Sequence, residues 1–220
     1  MTNRLFNNII ILIVLITSNL IMGCGQRATP KPSYKISDEF KAYCLFQPGS
    51  TWDYYTSDSN DTASLQLEGI TEDVWYNNAG ELYFYEAINM YFDTTNLNTT
   101  YWQITAGSTK NSSSTMNSIM RIFNADGSFR LVFDASYPLG EEQLVGENEG
   151  AYTNIEIIPT MELRGNTYSE VYHSKVTDYY NQGFGDFDFY IAKNHGIIKI
   201  QNIVNNDTII TELINSSPIQ

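Results

Sequence analysis

Apolar and polar residues alternate with a period of two along most of the chain from Trp52 onward, and this pattern limits the folds available to it. Alternation places successive side chains on opposite faces of a β-strand. Phe129, Leu131 and Phe133 give the clearest example, because they follow a turn sequence at Asn124–Gly127 and complete a predicted hairpin. Similar turns separate the other runs, without strand–helix–strand alternation. The sequence therefore predicts an all-β domain of about ten antiparallel strands, built as a sandwich or as a curved half-barrel.

Three segments refine this prediction. Ser37 precedes two acidic residues and an apolar pattern that ends at Cys44, which predicts a short N-terminal helix. Gly69 lies where the alternation of the predicted strand 61–76 changes phase, which predicts a β-bulge. The segment 167–176 also fits one face of a helix, but its β-branched and aromatic residues favour a strand.

The first 24 residues have the layout of a secretory signal peptide. Arg4 precedes an uninterrupted apolar run at residues 9–16, and the small residue Gly23 precedes Cys24. The run is shorter than the roughly 18 residues that a membrane-spanning helix needs, so we do not expect a retained transmembrane segment. We predict a signal peptide at 1–23, a flexible proline-containing tether at 24–36 and a single β domain at 37–220.

Within this segment, Ile21–Cys24 resembles the lipobox of bacterial lipoproteins. The resemblance implies that Cys24 becomes the first residue of the mature chain. It also implies that Cys24 carries diacylglycerol through a thioether and an acyl chain such as palmitate on its amine. Each buried methylene contributes about 0.8 kcal/mol, so two or three chains hold a protein on a bilayer. An ordinary signal peptide that contains a cysteine by chance is the alternative.

Two further stretches resemble uncharacterised lipoproteins of Bacteroidetes. Residues 49–54 match their G-x-x-W-x-Y opening, residues 190–199 match their closing Y-x-A-x-x-x-G-I-I-K motif, and a similar stretch at 165–171 lies between them. The resemblance implies an extracytoplasmic, β-rich lipoprotein in which these motifs are structural rather than catalytic. Residues 25–31 lack the acidic run that some of these proteins use for surface export. This implies a place in the cell envelope, on the outer membrane and facing the periplasm.

The chain is strongly acidic, with 25 Asp and Glu against 12 Lys and Arg. An acidic surface repels nucleic acid and anionic headgroups, so we exclude nucleic-acid binding and expect membrane attachment to come from the lipid on Cys24. A lipidated Cys24 leaves Cys44 without a partner for an intramolecular disulfide. The apolar neighbours of Cys44 predict a buried, unreactive thiol.

Aromatic residues make up 14% of the chain, and they occupy both faces of the predicted strand at 82–92. A second aromatic face either belongs to a two-sided core or forms a contact surface. We favour a binding or scaffolding lipoprotein whose ligand is an apolar molecule, a glycan or an envelope protein. The alternative is a periplasmic carrier that shelters lipids or lipoproteins in a concave sheet. The candidate contact residues are Trp75, Tyr83, Tyr85, Tyr91, Tyr101 and Trp102.

Recognisable catalytic and metal-binding motifs are absent from the sequence. His173 and His195 are its only histidines and lack metal-ligand spacing, and neither a G-x-S-x-G nor an S-x-x-K motif occurs. We predict no enzyme activity, no metal and no cofactor. Because a pair of carboxylates can hydrolyse glycosides, a carboxylate-dependent hydrolase is the second alternative. Its candidate groups are Asp186, Asp188, Glu141, Glu142, Glu147 and Glu149.

Three short stretches resemble the Asp-Ser/Thr-apolar sites at which Bacteroidetes attach O-glycans. The resemblance implies O-glycosylation of Thr62, Thr94 and Thr208. An added sugar would be visible in the intact mass of the native protein.

Overall fold

The computed structural model describes residues 33–77, 83–106, 118–135, 137–144, 150–177, 185–204 and 207–220. The predicted signal peptide, Cys24 and most of the predicted tether lie outside these residues. The described chain contains one helix, α1 (Asp38–Cys44), and thirteen strands. Among the described residues, no helix has the length and apolar character that a bilayer crossing requires. The strands are β1 (Ser33–Tyr34), β2 (Thr51–Thr56), β3 (Asp61–Asn77), β4 (Tyr83–Thr95), β5 (Thr99–Ala106), β6 (Ser118–Asn124), β7 (Phe129–Asp134), β8 (Glu142–Leu144), β9 (Ala151–Leu163), β10 (Asn166–Thr177), β11 (Asp186–Ala192), β12 (Gly196–Val204) and β13 (Asp207–Ser217).

All thirteen strands belong to one sheet made of two meanders. Strands β2 to β7 pair in chain order, strands β8 to β13 do the same, and β13 pairs with β2 to join the two meanders. Every one of these pairs is antiparallel, and only the short β1 runs parallel to its neighbour β4. The predicted all-β antiparallel fold is confirmed. The two strands absent from the sequence prediction are β1 and β8, which are two and three residues long.

Helix α1 lies on the concave side of the sheet, as the burial of one of its faces requires. Its first turn is capped by Ser37, whose hydroxyl accepts a hydrogen bond from the amide of Phe40 at 3.2 Å. Phe40 stacks on Phe133 of β7 with the ring centroids 4.9 Å apart. Tyr43 packs edge-on against Tyr172 of β10 at 5.2 Å. The helix therefore fills the space between the last strand of the first meander and the middle of the second.

Trp52 and Tyr54 explain why the opening and closing motifs occur together. Both side chains are buried. The indole N–H of Trp52 donates to the carbonyl of His195, and the hydroxyl of Tyr54 donates to the carbonyl of Ile197, each at 2.8 Å. Gly196, between these two carbonyls, has a φ of +79° and lies against the ring of Phe46. The two motifs form one structural contact between β2 and the β11–β12 turn.

The ends of the sheet are joined by side chains rather than by strand pairing. We call Tyr152, Asn154 and Ser174 the polar clasp. The Tyr152 hydroxyl accepts from the amide of Asp134 at 2.9 Å and donates to the Asn154 side chain. Asn154 donates to the Asp134 carbonyl at 2.9 Å, and Ser174 donates to the Val132 carbonyl at 2.6 Å. The clasp holds β7 beside β9 and β10, so the single sheet curves as a half-barrel instead of splitting into a sandwich.

The packed domain also includes residues that the sequence analysis assigns to the tether. Ser33 and Tyr34 pair with Phe84 and Tyr85 of β4. Ile36 is buried, and its amide donates to the Glu86 carboxylate at 2.8 Å. These contacts fix where the chain joins the sheet.

Replacing Tyr152 by Phe should destabilise the domain, because the buried amide of Asp134 loses its acceptor. We expect a loss of about 1–3 kcal/mol in the free energy of unfolding. The measurement is urea unfolding of the unlipidated Cys24→Ala protein with and without the substitution.

The matched control is Tyr55→Phe, since the Tyr55 hydroxyl donates to the side chain of Asn60 at an exposed position. This control should change the stability by less than about 0.5 kcal/mol. Equal stabilities for the Tyr152→Phe and Tyr55→Phe proteins would contradict the clasp.

Candidate functional site

The outer, convex face of β4 to β7 carries a row of four aromatic side chains. Strand pairing places Tyr91 opposite Tyr101, Tyr101 opposite Phe123, and Phe123 opposite Phe129. Alternation sends the intervening residues, such as Met90, into the core. We call Tyr91, Tyr101, Phe123 and Phe129 the aromatic ladder.

The rings of the ladder pack against one another across the strands. The centroids of Tyr101 and Phe123 are 4.4 Å apart with the ring planes within 8°, and Tyr91 lies 5.5 Å from Tyr101. Phe129 completes the row at 5.3 Å from Phe123. Cross-strand aromatic pairs of this kind contribute roughly 0.2–1 kcal/mol each. Since the middle rings cover each other's faces, the ladder presents ring edges to solvent, and Tyr91 at its end is 41% exposed.

Gly69 lies beside the free end of the ladder. It pairs with Tyr91, immediately after a register shift that confirms the predicted bulge in β3. A Cβ atom built on Gly69 would meet nothing within 4 Å, and its φ lies outside the left-handed region. The position opposite Tyr91 therefore has no side chain, and the space above the backbone at Gly69 is open. A glycine inside a strand often marks a place where a ligand approaches the backbone.

A row of polar side chains runs parallel to the ladder on the same face, two residues farther along each of β3, β4 and β5. We call Thr71, Asn89 and Gln103 the polar row. Gln103 donates to the Asn89 side chain at 3.1 Å, and Asn89 donates to Thr71 at 3.5 Å. Gln103 is only 5% exposed, so this amide chain is held in place. An aromatic ring face beside fixed amides can stack on the apolar face of a sugar ring and bond its hydroxyls.

A second aromatic group lies farther along the same face, on the part of the β3–β4 hairpin at 70–77 and 83–86. We call this part the arm, and Tyr34, Trp75, Tyr83 and Tyr85 the arm cluster. Trp75 packs edge-on against Tyr85 at 6.0 Å, and Tyr34 packs edge-on against Tyr83 at 5.8 Å. The turn at 78–82 lies outside the described residues.

The structure divides the six predicted contact residues into three groups. Tyr91 and Tyr101 belong to the ladder, and Trp75, Tyr83 and Tyr85 belong to the arm cluster. The prediction for Trp102 is wrong, because it is 1% exposed and packs in the core 5.6 Å from Trp52. Sequence reasoning missed Phe123, Phe129, Tyr34 and the polar row; the alternation in the Phe129 hairpin was the available signal for the two phenylalanines.

The predicted modification sites differ in their accessibility. Thr62 and Thr208 are exposed at the starts of β3 and β13. Thr94 is half-buried, and its hydroxyl donates to the Leu97 carbonyl at 3.2 Å. O-glycosylation stays a prediction for all three, and lipidation of Cys24 lies outside the described residues.

The histidines and carboxylates named in the sequence analysis occupy separate places. His173 stacks on Tyr190 with centroids 4.4 Å apart, and its Nε2 lies 2.8 Å from the Asp188 carboxylate. Asp186 lies 3.8 Å from Lys175. His195 lies in the β11–β12 turn, where burial lowers its pKa. No group of three metal-ligating side chains occurs among the described residues. Glu141 and Glu142 are exposed, whereas Glu147 and Glu149 lie outside the described residues.

A cavity of about 250 Å³ lies between α1 and the ends of the sheet. Aromatic rings of Phe40, Tyr43 and Tyr172 form part of its wall, with Lys35 and Glu39 beside them. Burial raises the pKa of Tyr43 well above the ordinary tyrosine value, and it also raises the pKa of Tyr172. Ligand pockets commonly enclose about 300–1,000 Å³, so this cavity is small for an acyl chain.

Comparison with known proteins gives one weak structural likeness. No family model and no curated protein matches the sequence. A crystal structure from Parabacteroides distasonis, whose protein carries the provisional name of a lipoprotein, aligns with 79% of this chain and 99% of its own. The TM-score is 0.31 and the identity 11%, which is too low to transfer a function or a site.

Tyr101 should ionise above the ordinary tyrosine pKa of 10.0, because burial and then the neighbouring Tyr91 disfavour its phenolate. The unfolded chain then ionises first, so the fold loses stability as the pH rises above 10.0. The measurement is an alkaline titration of tyrosinate absorbance, with the Tyr101→Phe curve subtracted from that of the parent. A difference curve centred at or below 10.0 would show that Tyr101 is not held within the ladder.

Proposed function

We propose that this chain is a lipid-anchored protein of the cell envelope that binds a neutral glycan on the outer face of its sheet. The observation that carries the proposal is the open space at Gly69 opposite the exposed ring of Tyr91, beside the side-chain amide of Asn89, which Gln103 holds by a hydrogen bond. The ring supplies a stacking surface, and the half-buried Asn89, fixed by the buried Gln103, supplies a donor and an acceptor at a fixed position.

The charge of the protein favours a neutral ligand. The chain has a formal net charge of −13. Asp93 lies two residues from Tyr91 on β4 and therefore on the same face of the sheet. The acidic surface as a whole would repel a sulfated or uronic glycan, and Arg121, which pairs with Gln103, is a basic residue beside the polar row on this face. Carboxylate and amide oxygens next to an aromatic face also suit the hydroxyl groups of sugars.

The membrane attachment in this proposal comes from the sequence. The lipobox-like residues 21–24 support acylation of Cys24, and the proline-containing stretch that follows supports a tether. Together they support attachment to a membrane of the cell envelope, and the lack of an acidic run at residues 25–31 is the feature that favours the outer membrane with the β domain on the periplasmic side. The structural likeness to the Parabacteroides protein adds no weight to this.

A protein partner is the second candidate, because the ring edges of the aromatic ladder form an apolar strip on the surface of the sheet. A carrier of acyl chains needs an apolar chamber, and the concave side of this sheet is occupied by α1 and by large side chains such as Trp52. The glycan hypothesis therefore has the more specific support. A carboxylate-dependent hydrolase has no comparable support, since Asp188 and Asp186 are engaged with His173 and Lys175.

Glycan binding can be tested by affinity gel electrophoresis of the unlipidated Cys24→Ala protein. The gels contain dextran, starch, mannan, galactomannan or xylan, and at least one should retard the protein. Tyr91→Ala should weaken the interaction roughly ten-fold, the equivalent of about 1.4 kcal/mol, because it removes the stacking face. Gly69→Leu should weaken it as much by filling the open space opposite Tyr91 without straining the backbone.

The matched control is Tyr76→Ala, because Tyr76 is 65% exposed and lies on the opposite face of the sheet. It should leave retardation unchanged. Unretarded migration in every polysaccharide would overturn the glycan proposal, and so would equal retardation of the parent and Tyr91→Ala proteins.

Lipidation is tested separately by fractionation of cells that express the full chain. The parent should incorporate radiolabelled palmitate and sediment with membranes, and Cys24→Ala should do neither. Cys44→Ala is the matched cysteine control and should keep the label, because the Cys44 thiol is fully buried. Membrane association of the Cys24→Ala protein at the parental level would contradict acylation at this residue.

A further inference from the structure

The arm projects beyond the body of the sheet. β2 pairs with β3 only as far as Gln66, and the pairing of β5 with β4 ends at Ala87, so the hairpin continues past both neighbours. β1 is the one described strand that pairs with the continuing part of β4, through Ser33 and Tyr34. The described chain therefore begins on the arm.

The chain upstream of this point is short. Nine residue steps separate Cys24 from Ser33. A fully extended chain of that length spans at most roughly 30 Å. A domain tied to a bilayer through Cys24 would consequently have its arm near the membrane surface, whatever orientation the rest of the sheet adopts.

The side chains of the arm suit the boundary between headgroups and acyl chains. All four rings of the arm cluster are half-buried, so each presents part of its surface to solvent. Val74 and Tyr76, on the other face of the arm, are 60% and 65% exposed. Tyr and Trp concentrate at membrane interfaces because an apolar ring and a polar tip are satisfied there together.

We propose that the arm cluster contacts the headgroup region of the bilayer that holds the lipid on Cys24. The inference rests on the proposed lipid anchor and assigns the arm a second attachment to the same membrane. The arm carries Glu72 and Asp73, both exposed, so its contact is with zwitterionic rather than anionic lipid. The lipid anchor supplies the affinity, and the arm fixes which part of the domain faces the bilayer.

The three tryptophans of the chain allow a direct test. Trp52 and Trp102 are 0% and 1% exposed, whereas Trp75 on the arm is half-buried. The acylated full protein is reconstituted into phosphatidylcholine vesicles that carry a spin-label quencher on the headgroup or on the acyl chain. The headgroup quencher should reduce the tryptophan emission, and this reduction should disappear in Trp75→Phe.

The Cys24→Ala protein, added to the same vesicles, is the control for unanchored contact. Incorporation of the parent without quenching of Trp75 overturns the arm proposal and leaves the anchor standing. Failure of the parent to enter vesicles overturns the anchor and, with it, the arm contact. Quenching that persists unchanged in Trp75→Phe also overturns the arm proposal, because the signal then comes from the buried tryptophans.

Discussion

Trp52 and Tyr54 hold the two meanders together from inside the sheet. Among the described strands, β2 and β13 provide the strand pairing between the two meanders. Both side chains reach past β13 to carbonyls at the end of the β11–β12 turn and the start of β12, those of His195 and Ile197. Leaving either buried donor unpaired costs about 1–3 kcal/mol, so the turn stays against β2.

The sequence predicts the strands better than their closure, for a physical reason. Alternation and turn residues act over a few positions, so the long β3, its bulge at Gly69 and the capped helix could all be predicted locally. The polar clasp joins Asp134 to Tyr152 and Asn154 across a part of the chain whose path depends on the whole fold. Ser174 is farther still from its acceptor in the sequence. Nothing in the local pattern identifies these partners, so the sequence alone does not distinguish a sandwich from a half-barrel.

The candidate site could also be predicted only in part from the sequence, and the assignment of Trp102 to the contact surface is an error that the sequence itself could have prevented. Tyr101 and Trp102 are consecutive in β5, and a period of two places them on opposite faces of the sheet. Both could not belong to one contact surface, so Trp102 was separable from Tyr101 on the sequence alone. Phe123 and Phe129 belong to the ladder because the register of strand pairing places them beside Tyr101. The sequence does not specify that register across β5, β6 and β7. The aromatic content indicated a contact face, and the pairing decided which rings form it.

The bulge at Gly69 links the two surfaces of the outer face. It leaves no side chain opposite Tyr91, and it lies where β3 continues past β2 into the arm. Tyr85 and Tyr91 are six residues apart on β4, which is roughly 20 Å along a strand. A bilayer contact at the arm would therefore hold the exposed ring of Tyr91 about 20 Å from the headgroups, along the same strand. That distance leaves room for a polysaccharide chain to lie parallel to the membrane, so an anchored domain and a glycan site on this face are geometrically compatible.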